Sequence, residues 1–269
     1  MLGLRAKHLP LPPVEMRQLT GLTDASWFEP PIDWHVSQHV RQRTQYESVL
    51  DFGCGCGRNA RQLALSRVPV KLYVGIDLHA GMIRWAQQNI TPRAPRFTFA
   101  HQNVYNPGFN PDPALPRTMP FPVEDRSVTL LIAHSVFTHL LESQIVFYLG
   151  EARRVLRDDG IMLATFFLFE KRYFPMMQDF QNALYINPDD PTNAVIVDRN
   201  WLLDEVQHRS LGVADFTVPH ARGFQWTLEI RPGQESVALP ADTAPFGRHP
   251  PPVSEGSADT IGASADSGT

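Results

Sequence analysis

Cysteine is nearly absent: Cys54 and Cys56 are the only two in 269 residues and stand one residue apart. A bridge between them could close no loop of useful length, and two thiols fill only half of a tetrahedral zinc site. A disulfide scaffold is therefore excluded, no metal is expected, and the pair reads as small, packable side chains. No run reaches the 18 or so apolar residues of a bilayer span, and the first residues lack an apolar core of signal-peptide length. The expectation is a soluble, cytoplasmic protein with no membrane span. A basic stripe is missing too: 24 Lys and Arg against 28 Asp and Glu leave a net charge of −4, so nucleic acid is not an expected partner. No internal repeat is apparent.

What is present suits a folded chain, with 43% apolar and 19% charged residues, and a length that fits one elaborated domain. Residues 1–47 are rich in proline and aromatics and read as an N-terminal extension packing on the main body. One helix is expected there over DWHVSQHVRQRT, with Asp33 as its cap and Val36 and Val40 on one face. From residue 48 the pattern becomes regular. VLDF, KLYVGID, RFTFAHQNV, VTLLIAHSV and IMLATFFLF read as buried strands, alternating with the helices RNARQLAL, AGMIRWAQQNI and ESQIVFYLGEARRVLRDDG. The last of these aligns Ile145, Tyr148, Leu149, Ala152, Val155 and Leu156 along one stripe and should stop at Gly160. NWLLDEVQHRS, VADFTVP and FQWTLEI add a helix and two strands.

Strands and helices in this rhythm predict an α/β fold with a doubly wound parallel sheet covered on both faces. The main domain is expected over residues 48–238. Within it, residues 106–125 hold six prolines and form a long loop or flap. From residue 239 to 269 the composition turns to Pro, Ser, Gly, Ala and Asp, which predicts a disordered tail.

The most informative stretch is VLDFGCGCGRNARQLA, residues 49–64. In open α/β sheets the first strand-to-helix turn meets a ligand with free backbone N–H groups, and Gly53, Gly55 and Gly57 fall in that turn. A dinucleotide fingerprint needs glycine where Arg58 stands, and the acidic Asp51 suits a ligand bearing an ammonium better than a pyrophosphate. Asp77, ending the second strand, is placed either to accept the hydroxyls of a ribose or to cap the next helix, and a carboxylate could do both. Leu78 and Met82 offer apolar contact to an adenine. Asn103 reads equally as a base-edge partner or a turn residue.

Taken in order, VLDFGCGCGRN, YVGIDLHAGMIRWAQQN, FTFAHQNV, MPFPVEDRSVTLLIAHSVFTHL and EARRVLRDDGIMLATF resemble the successive motifs of class I methyltransferases that use S-adenosylmethionine. The resemblance spans roughly residues 45–170. It implies a Rossmann-like, seven-stranded, mostly parallel sheet whose last strand, FQWTLEI, is antiparallel. It also implies a site in which Asp51 and the backbone of Gly53, Cys54, Gly55 and Gly57 hold the methionine part, and Asp77 the ribose. Leu78, Met82 and Val104 would flank the adenine, Asn103 would face its amino group, and His134 would border the cofactor.

Transfer from a sulfonium mainly requires an aligned nucleophile and, for oxygen, loss of a proton. His134 and His139 are the candidate bases, and Glu170, Lys171 and Tyr173 point toward the same mouth without a motif behind them. No Asn-Pro-Pro-Tyr or Asp-Pro-Pro-Tyr follows strand four and no aspartate pair for magnesium is evident. Substrate selection is expected in the N-terminal extension, the proline-rich flap and residues 170–200, and the expected acceptor is small or medium-sized and hydroxylated, a sugar or glycan end included. A SAM-binding scaffold without catalysis is the alternative, and an NAD-type dehydrogenase is disfavoured by Arg58. Oligomeric state is not legible.

Overall fold

Two short helices precede the sheet in the computed structural model, which describes residues 9–219 and 225–240. They are α1 (Val14–Leu19) and α2 (Trp34–Ser37). Asp33 caps α2 as expected, accepting the His35 N–H at 3.0 Å, but the helix stops after one turn. Its continuation, QHVRQRT, is not short of helix formers, with Gln and Arg at four of its positions, but tertiary contacts claim it instead. Val36 and Val40 are buried, and the His39 imidazole bonds Glu229 at 3.1 Å.

Five strands run parallel in the order β3-β2-β1-β4-β5: β1 (Ser48–Phe52), β2 (Leu72–Asp77), β3 (Phe97–His101), β4 (Val128–Ala133) and β5 (Leu156–Phe169). β9 (Trp226–Pro232) lies antiparallel on β5, and β8 (Leu211–Thr217) antiparallel on β9. This is the expected seven-stranded, mostly parallel sheet with its last strand reversed. Two further strands were not foreseen. β7 (Val195–Asp198) runs parallel to Phe167–Phe169 at the end of β5, and β6 (Ala183–Tyr185) pairs with β7.

Alternation along each strand divides the core in two. Leu50, Phe52, Leu131 and Phe166 face a cluster completed by α5 (Glu142–Val155) and α6 (Arg199–His208). Val49, Tyr73, Leu130 and Ile132 face one completed by α3 (Arg58–Leu65), α4 (Ala80–Asn89) and the N-terminal segment. Each fully buried Leu, Ile or Phe adds about 1.5–3 kcal/mol.

Three boundaries differ from expectation. α5 ends at Val155, because Leu156 is already extended (φ −69°, ψ 134°) and pairs with Val128. Gly160 is therefore no cap; it lies in β5, where a Cβ would sit 2.8 Å from the Val128 carbonyl oxygen. β3 and β4 end at His101 and Ala133, leaving Asn103 and His134 in turns. Leu239 packs into the first core cluster, and the Pro240 carbonyl accepts a bond from Arg199, so chain order continues to at least residue 240. Residues 241–269, the bulk of the expected tail, lie outside the described residues.

Candidate functional site

After β1 the chain turns on Gly53 (φ 76°), whose N–H donates to the Ile76 carbonyl at 2.8 Å. The left-handed φ, and a Cβ that would come within 2.3 Å of Val136 Cγ2, leave glycine alone able to stand there. Asp77, at the end of β2, ties the turn down. One carboxylate oxygen accepts the Gly55 N–H at 2.8 Å and the other the His79 N–H at 2.7 Å. Burial raises the Asp77 pKa, against the pull of these two bonds. The residue that caps α4 is His79, with Nδ1 accepting from the Met82 N–H, so Asp77 ties the glycine turn to the residue that opens the helix without itself being the cap.

Over the carboxyl ends of the strands lies a cavity of about 760 Å³. Of the residues singled out in the sequence, Gly53, Cys54, Gly55, Asp77, Leu78, Met82, Val104, His134 and His139 line it. Asp51, Gly57 and Asn103 do not. Asp51 points to the opposite side of β1 from Phe52, where its carboxylate accepts bonds from Tyr73 Oη and, at 3.1 and 3.2 Å, from Asn59 Nδ2. Asn59 itself lines the cavity, so Asp51 acts on the site through it. Burial, the largest influence, pushes the Asp51 pKa up to about 6. Gly57 is the left-handed residue that starts α3, packed toward Ile90. Asn103 is exposed and accepts from Asn110 Nδ2 at 3.0 Å; its neighbour Gln102 is the one that is buried and reaches the cavity.

Both thiols are buried. Burial raises the Cys54 pKa far above its ordinary range and pushes Cys56 up to about 12, so both are neutral packing groups, poor as nucleophiles or ligands. Among the described residues, one His/Asp/Glu trio is close enough to ring an ion: His39, Asp215 and Glu229. Its carboxylates already pair with Arg41 and Arg231.

The N-terminal segment forms one wall. Leu19, Thr20, Phe28, Trp34 and His35 line the cavity, and α3 holds the segment through Arg58 and, one turn on, the neighbours Arg61 and Gln62. Arg58 pairs with Asp33, Arg61 bonds Glu29 at 2.5 Å, and Gln62 bonds both the Trp27 carbonyl at 2.8 Å and the Asp33 N–H at 3.0 Å. Burial opposes ionisation of Asp33, but Arg58 and the His35 N–H hold its pKa below the usual value. His134 faces His35 at 5.1 Å between ring centroids. Burial first, then Arg58 and His35, press the His134 pKa down to about 3, so the ring is neutral and a weak proton acceptor.

His139 is different. It is exposed to the cavity, and its Nδ1 lies 2.9 Å from the Thr192 carbonyl. A carbonyl only accepts, so Nδ1 carries a proton, and the tautomer of the uncharged ring that fits this bond has its lone pair on Nε2. Glu170, Lys171 and Tyr173 do not line the cavity. Glu170 is buried against Arg172 and Arg199, and the Lys171 N–H bonds Asp198.

Residues 49–160 match a family model described as a methyltransferase domain. Among solved structures, the chain is similar to geranyl diphosphate C-methyltransferase from Streptomyces coelicolor, crystallised with Mg2+, geranyl diphosphate and S-adenosyl-L-homocysteine. The two are 13% identical, with 72% of this chain and 76% of that one covered and a TM-score of 0.52. It is also similar to a SAM-dependent methyltransferase from Methanosarcina mazei, at 15% identity, 76% and 99% coverage and a TM-score of 0.51. At such identities these likenesses speak for the fold. Among the described residues, no helix is long and apolar enough to cross a membrane. The matched stretch runs through the very strands and turns that build the cavity, so the methyltransferase-like part of the chain is the part that forms this site.

Proposed function

We propose that this enzyme methylates a hydroxyl group of a small or medium-sized, hydroxyl-rich acceptor, a sugar among the candidates, with His139 as the general base. The residues present fit the donor. A glycine turn without side chains, a carboxylate at the end of β2 for the ribose diol, and an apolar slot of Leu78, Met82 and Val104 for the adenine all face one cavity. Gly53, Gly55 and Asp77 would hold it from below, with Asn59 steadied by Asp51. Bound there, the cofactor supplies a methyl group already activated on sulfonium, so the protein's work is positioning and proton removal.

The observation that carries the reading is the His139–Thr192 bond, which fixes the tautomer and leaves Nε2 free to take the acceptor's proton. His134, held neutral down to about pH 3, is a poor base; it borders the site without adding a charge. Asp190 and Asn193 line the cavity together with His139 and give a hydroxylated acceptor further hydrogen-bonding groups.

The test pairs calorimetry with turnover. The protein should bind S-adenosylhomocysteine, and a panel of hydroxylated metabolites with methyl-labelled donor should reveal an acceptor. His139→Ala should then lower kcat by about 10²- to 10⁴-fold with cofactor affinity kept. Binding without turnover on any acceptor would favour a non-catalytic scaffold, and an unchanged kcat in the variant would remove His139 from the mechanism.

A further inference from the structure

Arg58 follows the glycine turn directly, lines the cavity, and is 13% exposed; its partner Asp33 is 3% exposed. One terminal nitrogen of the guanidinium is engaged by Asp33, and no other side-chain bond of Arg58 is formed among the described residues. A guanidinium has five N–H donors in a planar fork that suits two carboxylates at once. Asp33 is in turn fixed from two sides: its second oxygen accepts the His35 N–H, the bond that caps α2, and its own N–H reaches Gln62.

Attachment of the N-terminal segment does not explain the pair. Arg61 and Gln62 already bind that segment from the same face of α3. Nor does another cation on this side of the cavity do what Arg58 could. The other arginine in the wall, Arg117, is exposed and stacks 4.7 Å over Tyr105 on the proline-rich flap, beside Val104 and so at the adenine end. Next to the glycine turn, Asp77, His35, His79 and His134 are the further titratable groups in the wall, the last neutral, and Arg17, which acts on Cys56 from outside the wall, is engaged by the Pro12 and Thr23 carbonyls.

We infer that Arg58 binds the carboxylate of the cofactor's amino-acid end, presented by Asp33, so that the N-terminal segment is a working part of the cofactor site. This rests on the assignment of S-adenosylmethionine to the cavity. Asp33 keeps the guanidinium plane in place and neutralises it in the absence of ligand, while the remaining N–H groups face the incoming carboxylate. A charge-assisted bond of this kind accounts for roughly a 10- to 100-fold difference in affinity.

Calorimetric titration of the full chain with S-adenosylmethionine and with its decarboxylated form, which lacks only that carboxylate, tests the inference. The wild-type protein should prefer the carboxylate-bearing ligand by about 10- to 100-fold. Arg58→Ala should abolish the preference, weakening S-adenosylmethionine and leaving the decarboxylated ligand within about twofold; Arg58→Lys, which keeps the charge and loses the fork, should fall between. Equal weakening of both ligands, or of neither, overturns the inference while the cofactor assignment stands. Absence of binding by the wild-type protein to either ligand overturns both. Should Arg58→Ala melt at the assay temperature, the ligand ratio in Arg58→Lys decides alone: a ratio equal to that of the wild type is the refuting result.

Discussion

Two groups near the glycine turn make opposite demands on pH, and their separation is a sharp test of the site's electrostatics. Asp51 has its pKa raised to about 6 from 3.8 by burial. Between those values the native state holds a proton that the unfolded chain has lost. Stability from this group is thus fully present below pH 3.8 and is lost as pH rises through about 6; two pH units at about 1.36 kcal/mol each come to about 3 kcal/mol. His134 is lowered from 6.5 to about 3, chiefly by burial. Here the unfolded chain holds the extra proton, so stability is present above pH 6.5 and is lost as pH falls, by about 4–5 kcal/mol at the acid end.

From about pH 4 to 6 the two slopes oppose each other at about 1.4 kcal/mol per pH unit apiece and nearly cancel. The single variants uncover them. Relative to the ligand-free wild-type protein, Asp51→Asn should lose stability on acidification through this window, and His134→Asn should gain it. Urea unfolding at half-unit steps between pH 4.5 and 6.5 measures the difference, in which every other titrating group drops out to first order. A constant offset is expected from altered packing and from the Asn59 contact. A difference curve that is flat for either variant would refute the placement of that group in a dry, unneutralised setting.

Asp77→Ala should weaken S-adenosylhomocysteine binding by about 1–3 kcal/mol in calorimetry, because it removes the proposed ribose acceptor and strips the Gly55 and His79 N–H groups of their partner. An unchanged Kd would move the ribose elsewhere. Gly53→Ala should cost about 2–4 kcal/mol in urea unfolding, the sum of a left-handed alanine and an overpacked contact with Val136. Adding Val136→Ala should recover the steric part only, and full recovery would mean that φ at this turn is not the constraint.

The fold was legible because buried parallel strands announce themselves. VLDF, KLYVGID and IMLATFFLF carry apolar runs that only a sheet covered on both faces would use, and each is a strand in the structure. β6 and β7 were missed because ALY and VIVD are too short to show a period. Gly160 misled for a different reason. A glycine after a helical stripe resembles a cap, yet the close approach of the Val128 carbonyl explains it equally well, and nothing local separates the two.

In the site, residues read from a position in a motif fared unevenly, and strand alternation says why. Asp51 and Phe52 are adjacent, so they must point to opposite faces; Phe52 lines the cavity and Asp51 is turned away to Tyr73. The signal that pointed to the N-terminal wall lies in RNARQLAL. A helix that begins at a ligand-binding turn should be buried on its sheet side only, yet Arg61 and Gln62 are buried as well. Polar side chains on a covered helix face need polar partners, and the segment able to supply them in this chain is the one holding Glu29 and Asp33. Arg58, which the sequence used only to exclude a dinucleotide, therefore marks where a distant segment closes over the turn. That closure brings Asp33 against the Arg58 guanidinium beside the glycines, a partner that the motif by itself does not provide.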